Sequence, residues 1–429
     1  MAPVDEELIE PFRGSLDAVV RPPGSKSLTN RALVCAALAE GTTLLTGALY
    51  ADDTEAMLHC VHGLGAGVQL DRAGRRVRVT GVGGSPAADG ALLDARLSGT
   101  TSRFVMPMAA LGSSTVVLDG AAGLRARPMG ELIDALGSLG AEVSPLGEPG
   151  HLPVEIQGGG LRGGSISVRG DVSSQFLSGL LLSAPCMPDG LRVEVRTELV
   201  SVPYVHMTVA VMEAFGAQVD VAGDHRRIGV APTGYRAVEE HRIEPDASAA
   251  SYFFAAAALL GGRVRVEGLG RGALQGDVAF VDVLERMGAQ VERHDDAIEV
   301  RGTGVLHGVD VDMADISDTA QTLAAIAPFA DSPTTITGIG FIRAKETDRI
   351  AAVVAELQRL GIDAEELPDG LVVRPGAPRP ALVQTYEDHR MAMSFALVGL
   401  RVPGVRIADP GCVAKTYPGY WADLESLRG

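Results

Sequence analysis

The sequence predicts an α/β fold of six repeated helix–strand–helix–strand units, gathered into two halves of three, with helices inside and sheets outside. Three observations carry this. A phrase made of a helical stretch, Gly-Ala or Gly-Ile and a short alternating strand recurs at 62–68 (HGLGAGV), 137–143, 213–219, 285–291 and 358–364. Polar helix starts near Ser27, Thr100, Ser173, Ala247, Asp318 and His389 are spaced about 71 to 74 residues apart, which marks a repeat architecture. The helices they open, such as 177–184 and 253–260, are apolar nearly all round, so they must be buried on every side.

Each unit reads in the same order. A polar start, an apolar helix and a Val/Thr/Ile-rich strand ending in Gly span 28–47, 101–120, 174–195, 247–268 and 319–338, with a sixth copy at 389–409. The recurring phrase follows. Its Gly suits a helix stop, where a left-handed backbone is needed. Period-2 runs such as 76–79 and 297–300 read as the strands after it. The sixth unit lacks its trailing strands, and residues 10–20 lack a helix of their own, so the chain start is expected to complete the last half. This makes one lobe of 1–24 and 244–429 and a second of 25–243, with crossings near 21–24 and 240–243.

The composition bounds the chemistry. A length of 429 residues is too much for one core and asks for two or three domains. A net charge of −17 argues against nucleic acid or anionic membrane as partner. It leaves small anions open, because these respond to local charge. The four cysteines (Cys35, Cys60, Cys186, Cys412) form no CxxC pair and read as reduced thiols of a cytoplasmic protein. Residues 1–10 are acidic and do not read as a signal peptide. The longest apolar run, 247–260, is too short to span a bilayer. No His/carboxylate cluster has metal-ligand spacing.

The polar residues gather at the starts of the buried helices, where unpaired N–H groups and a partial positive charge favour phosphate and carboxylate. Unit one carries Lys26, Ser27 and Arg31 in PGSKSLTNR. Unit two carries Gly99 and Arg103 in SGTTSR, then Arg127 in RARP. Unit three carries Ser173, Ser174 and Gln175, followed by Ser201 and Tyr204 around Pro203. Unit five carries Asp315 and Asp318, then Lys345, Glu346 and Arg349 in AKETDR. Unit six carries Arg390 in EDHRMAM and Lys415 in AKTYP. Lys345 and Arg349 are four apart and are expected on one helical face, where like charges need an anion between them. Each group alone is also read as a helix cap or a solvated charge. Their recurrence at equivalent positions, about one per repeat, points instead to an anion site.

Together the strings PGSKSLTNRAL (23–33), Arg127-Pro128, SSQFL (173–177), AKETDR (344–349), DHRMAM (388–393) and DPGCVAKTYP (409–418) resemble the 5-enolpyruvylshikimate-3-phosphate synthase family, in order and over nearly the whole chain. The resemblance implies two inverse α/β-barrel-like domains, each of three βαβαββ repeats, with the active site in the cleft between them and the shikimate 3-phosphate side on 25–243. It implies transfer of the enolpyruvyl group of phosphoenolpyruvate to the 5-hydroxyl of shikimate 3-phosphate, by addition and then elimination of phosphate. Shikimate 3-phosphate would contact Lys26, Ser27, Arg31, Ser173, Ser174, Ser201, Asp318 and Lys345, with Tyr204 near its ring. Phosphoenolpyruvate would contact Lys26, Gly99, Arg127, Gln175, Arg349, Arg390 and Lys415, with Arg103 nearby.

Asp318 is assigned as the base that takes the hydroxyl proton, with Asp315 as the alternative. Glu346 is the proton carrier at C3, and Lys26 and Lys415 assist the leaving phosphate. Neighbouring cations favour ionised Glu346, and two bound dianions push the other way. No cofactor or metal, a monomer and a cytoplasmic location are expected. Two departures stand out. Phe341 occupies a place where the family often has Asn, and the stretch 97–103 (LSGTTSR) differs from the family's, which bears on the phosphoenolpyruvate pocket and on glyphosate sensitivity. The competing readings are UDP-N-acetylglucosamine enolpyruvyl transferase, which would place a Cys within 121–126, and a non-catalytic anion-binding homologue.

Overall fold

The computed structural model describes residues 5–88, 90–171 and 174–428. The chain divides into two compact units, Gly24–Glu244 and a second made of Met1–Pro23 with Pro245–Gly429. Each has its own cluster of buried apolar side chains.

Six sheets occur among the described residues, five of four strands and one of three. One order recurs in the four-stranded sheets. Leu92–Asp94 runs parallel to Thr115–Asp119, which pairs antiparallel with Val154–Gln157, and that strand pairs antiparallel with Glu142–Pro145. Two sheets borrow their leading strand from elsewhere in their own unit. Glu240–Arg242 lies parallel to Thr42–Thr46 in the first repeat, and Asp17–Val20 lies parallel to Arg263–Glu267 in the fourth. The sixth sheet is completed by Glu6–Leu8, antiparallel to Arg406–Ala408. The chain start therefore closes the last three repeats at two places.

The glycines of the recurring phrase all have the positive φ a helix stop requires: Gly65 (97°), Gly140 (97°), Gly216 (86°), Gly288 (104°) and Gly361 (82°). The strand Arg76–Thr80 alternates exposed and buried residues as its sequence predicts. The strand Ala297–Arg301 does not, because Glu299 on its polar face is covered by Arg263 Nη2 at 2.7 Å and Arg301 Nη2 at 2.6 Å.

Burial of the helices is uneven. The first helix of each repeat is wholly or almost wholly buried, as in Gly99–Leu111 and Ala247–Leu260. The second is less completely buried; Gly130–Ser138 buries only Leu132 and Leu136, and Val202–Ala214 five of its residues. The expectation of buried helices therefore holds for one helix of each pair. Buried helices meet closely where a side chain is missing. A Cβ on Gly179 would lie 2.3 Å from the Arg103 carbonyl oxygen, so Gly179 lets Ser174–Ser183 sit directly on Gly99–Leu111. No helix among the described residues is long and apolar enough to cross a membrane.

Candidate functional site

In the unit Gly24–Glu244 the starts of three buried helices bring the polar residues together. Lys26 opens Lys26–Leu38, whose cap Ser25 accepts a hydrogen bond from Leu28 N–H. Its ammonium lies 3.4 Å from Asp53, and the carbonyl of Asp53 accepts from the Thr101 hydroxyl at 3.1 Å. That ties the first helix start to the second. At the second, a methyl group on Gly99 would sit 2.6 Å from Arg103 Nη1 and 2.9 Å from Arg127 Nη1. Only glycine leaves both guanidinium groups their place beside the backbone. Arg103 donates to Gln175 Oε1 at 2.8 Å, and Gln175 donates to the Thr100 hydroxyl at 3.4 Å. Gly99, Arg103, Arg127 and Gln175 thus form one group. Ser174 is buried at the first position of its helix, and Ser173 lies outside the described residues.

Arg31 is placed differently. Its guanidinium donates to Thr208 Oγ1 (2.8 Å), the Ser27 carbonyl (3.0 Å), Ser178 Oγ (3.3 Å) and the Tyr204 carbonyl (3.4 Å), between the Phe104 and Tyr204 rings. Burial pulls its pKa down to about 10, with Tyr204 and Cys35 opposing. Arg31 therefore holds the backbones of Ser27 and Tyr204, and these bonds take four of the five N–H groups of its guanidinium. Ser201, just before the helix Val202–Ala214, is buried with φ 56°, a left-handed backbone that costs a non-glycine residue energy.

In the other unit the cations converge on one carboxylate. Asp318 Oδ1 accepts from Lys345 Nζ at 2.7 Å and Arg349 Nη1 at 3.3 Å, and Oδ2 accepts from Arg390 Nη2 at 2.7 Å. Arg390 also donates to the Asp318 carbonyl at 3.1 Å. Arg349 continues to Glu346 Oε2 at 2.8 Å and grips Asp388 through Nε at 2.7 Å and Nη2 at 3.2 Å. Lys415 Nζ lies 3.9 Å from Glu346, and Asp315 is exposed. Burial lowers the pKa of Lys345 and the charge of Arg349 adds to this, against Asp318. Burial works on Arg349 in the same sense, but Asp388, Glu346 and Asp318 outweigh it and raise its pKa.

Two readings of the sequence are corrected here. Lys345 and Arg349 do not share a helical face. A tight turn, Gly340–Ala344, ends before Lys345, and a new helix starts at Arg349 behind the cap Asp348, which accepts from Ile350 and Ala351 N–H. The anion between the two cations is the protein's own Asp318. Nor is Asp318 a plain helix cap. It lies in the 3₁₀ segment Ala314–Thr319, kinked at Ile316 ahead of the helix Ala320–Ile326. Phe341 lies under Lys345, with the ammonium 5.7 Å from its ring centre.

Three acids of these clusters were missed. Asp53 lay in an acidic helix start that reads as a solvated cap. Asp388 lay in the DHRMAM string without a role; it is fully buried, grips Arg349 and caps the Arg390 N–H at 2.9 Å. Asp277, four per cent exposed, accepts a short hydrogen bond from Ser248 at the start of the fourth buried helix. Burial, then the charge of Asp318, pushes its pKa up to about 7. A carboxyl whose folded pKa lies above its ordinary 3.8 stabilises the fold at low pH and loses that contribution as pH rises through about 7. Asp277→Asn is therefore expected to match the parent near pH 4 and to be the more stable protein at pH 8, by roughly 2 to 4 kcal/mol. Denaturant melts at the two pH values check this, and equal stability at pH 8 would refute it. Among the described residues no group of three or more His, Cys, Asp or Glu is placed to hold a metal ion.

The chain matches the family model described as EPSP synthase (3-phosphoshikimate 1-carboxyvinyltransferase) over residues 12–424. A 3-phosphoshikimate 1-carboxyvinyltransferase of Nostoc punctiforme is 48% identical over 406 residues, covering 95% of each chain. One from Serratia proteamaculans is 44% identical over 99% of each. A solved EPSP synthase of Acinetobacter baumannii superposes with a TM-score of 0.82 at 28% identity, over 98% of this chain and 97% of that one. The matches run from end to end, and they join the repeated fold and the clustered charges: the chain belongs to the EPSP synthase family.

Proposed function

We propose that the two charged clusters both serve the family's reaction. The chain moves the enolpyruvyl group of phosphoenolpyruvate onto shikimate 3-phosphate, a step of the shikimate pathway towards chorismate and the aromatic amino acids. The observation that carries the site assignment is the meeting of Lys345, Arg349 and Arg390 on Asp318. Around them the four cations Lys345, Arg349, Arg390 and Lys415 face the three carboxylates Asp318, Glu346 and Asp388, and the positive charge left over suits phosphate and carboxylate groups.

Lys26, Ser27, Arg31, Ser173, Ser174, Ser201, Asp318 and Lys345 bind shikimate 3-phosphate, with Tyr204 beside its ring. Lys26, Gly99, Arg127, Gln175, Arg349, Arg390 and Lys415 bind phosphoenolpyruvate. The repeats of 25–243 serve mainly the first substrate, and those of 244–429 serve mainly the second and the base. The Phe341 ring under Lys345 takes the place of an Asn contact common in the family.

In the addition step the substrate hydroxyl oxygen bonds to C2 of phosphoenolpyruvate. Asp318 receives the hydroxyl proton, and the Glu346 carboxyl gives a proton to C3. In the elimination step the C2–O bond to phosphate breaks, Lys26 and Lys415 steady the departing charge, the phosphate leaves with the proton that Asp318 had taken, and Glu346 takes a proton back from C3. Arg349 and Lys415 favour ionised Glu346 in the free chain. Two substrate dianions offset those cations and let the acid load. The free thiols and the net charge of −17 support a cytoplasmic enzyme that binds neither nucleic acid nor membrane. A monomer is proposed from the family's habit.

The deciding experiment is phosphate release from phosphoenolpyruvate. It is expected with shikimate 3-phosphate, and absent with either substrate alone or with UDP-N-acetylglucosamine as acceptor. Release with the sugar nucleotide would move the chain to the sister activity, and no release with any acceptor would leave an anion-binding protein.

A further inference from the structure

The unit Gly24–Glu244 contains a cavity of about 440 Å³ that none of the proposed substrate contacts lines. It lies between the surface helix Gly130–Ser138 and the strand Gly164–Val168, which is the edge of its sheet. The helix buries only two residues, so it does not fill the space beside the strand. The volume falls in the lower part of the range typical of small-molecule sites, roughly 300 to 1,000 Å³. Phe176, Leu177 and Leu180 of the third buried helix form an apolar floor with Ile166. The rim carries both signs of charge, with Arg169 and Arg196 on one hand and Glu131 and Asp134 on the other. Arg169 is engaged by Asp171 at 2.8 Å, whereas the bond of Arg196 to the Ser167 carbonyl is long, at 3.4 Å. Arg196 is therefore the cation better placed to take a carboxylate.

The floor reaches the substrate cluster directly. The Phe176 ring lies under the Arg103 guanidinium, 5.0 Å from ring centre to Cζ, and Arg103 bonds Gln175, the neighbour of Phe176. Whatever presses on Phe176 from the cavity acts on the platform that holds Arg103 and Gln175.

We propose that this cavity binds a free apolar α-amino acid, with its side chain on the Phe176–Leu180 floor, its carboxylate on Arg196 and its ammonium on Glu131 and Asp134, and that occupancy changes the apparent affinity for phosphoenolpyruvate. An apolar body with both charges at one end is the chemistry that matches an apolar floor under a rim of mixed sign. The coupling, but not the binding, rests on the reading of Gln175 as a phosphoenolpyruvate contact.

The test is calorimetric titration of the whole chain, without substrates, by L-phenylalanine and L-leucine. N-acetylphenylalanine, which lacks the ammonium, and phenylalaninamide, which lacks the carboxylate, serve as controls. At least one amino acid is expected to saturate with a dissociation constant of about 1 mM or lower. Each capped derivative is expected to bind about tenfold more weakly. Arg196→Ala removes a surface side chain and Ala135→Trp fills the cavity from the helix side. Both should weaken binding by about tenfold or more, with turnover at saturating substrate unchanged. With amino acid present, KM for phosphoenolpyruvate should move at least about twofold at constant kcat. Absence of saturable binding by both amino acids, or binding indifferent to both substitutions, overturns the site. Binding with KM unmoved overturns the coupling. Since the titration needs no catalysis, failure here is distinct from failure of the phosphate-release assay.

Discussion

Asp318→Asn is expected to lower kcat by about 10³-fold, within the range general-base groups contribute, while phosphate and phosphoenolpyruvate bind more tightly than to the parent. The two effects have one cause. In the free chain Asp318 is the shared counter-ion of Lys345, Arg349 and Arg390, and three cations on a carboxylate stabilise its ionised form. Held in this way it is a weak base. Substrate phosphate and carboxylate groups compete for the same three cations, and as they take them over Asp318 becomes freer to accept a proton. The asparagine variant keeps the shape but lacks both the base and the internal counter-ion. It should therefore hold anions better, react slowly, and melt at a temperature that rises more steeply with added phosphate than the parent's. Asp315 provides the contrast. It is exposed, and Asp315→Asn should leave kcat within about twofold if Asp318 alone carries the base role. Steady-state kinetics with phosphate-dependent melting checks the pair. Loss of turnover in the Asp315 variant with survival in the Asp318 variant would reverse the assignment of the base.

Local signals carried the repeat and most of the cationic residues. A glycine after an amphipathic helix needs a positive φ whatever the rest of the chain does, and Gly65, Gly140, Gly216, Gly288 and Gly361 all have one. An apolar helix with no polar face has to be buried, and Ala247–Leu260 is. What stayed hidden depends on pairs distant in the chain. Asp388 is separated from Arg349 by 39 residues and Asp277 from Ser248 by 29; nothing in their neighbours tells them from ordinary caps. The reading of Lys345 and Arg349 as one helical face failed for a local reason that could have been seen. Asp348 stands directly before an amphipathic run, the signature of a helix N-cap, and a helix that starts at Arg349 cannot contain Lys345. The close approach of Arg127 to Gly99 lay beyond any sequence pattern, because Arg127 comes from a different segment, past the strand Thr115–Asp119.

Arg349→Ala should cost about 3 to 5 kcal/mol of stability, the loss that follows when one partner of a buried ion pair is removed, and should bring turnover below detection. The guanidinium is two per cent exposed and bridges Asp388, Glu346 and Asp318 at once. Without it Asp388, wholly buried, keeps the Arg390 N–H but loses its cation. Arg349→Lys should recover little, because one ammonium cannot reproduce a planar fork that points at three carboxylates. Lost stability and lost chemistry can be separated. In Arg349→Ala with Asp388→Asn the stranded charge is gone, so at least half of the lost stability should return. The asparagine amide oxygen can still accept the Arg390 N–H and keep that helix start capped. Turnover should not return, because Glu346 and Asp318 still lack the cation that fixes them. Denaturant melts and turnover of the single and double variants give both quantities. A single variant as stable as the parent would refute the predicted cost of stranding Asp388, and a double variant that regains activity along with stability would mean that Arg349 only neutralises Asp388.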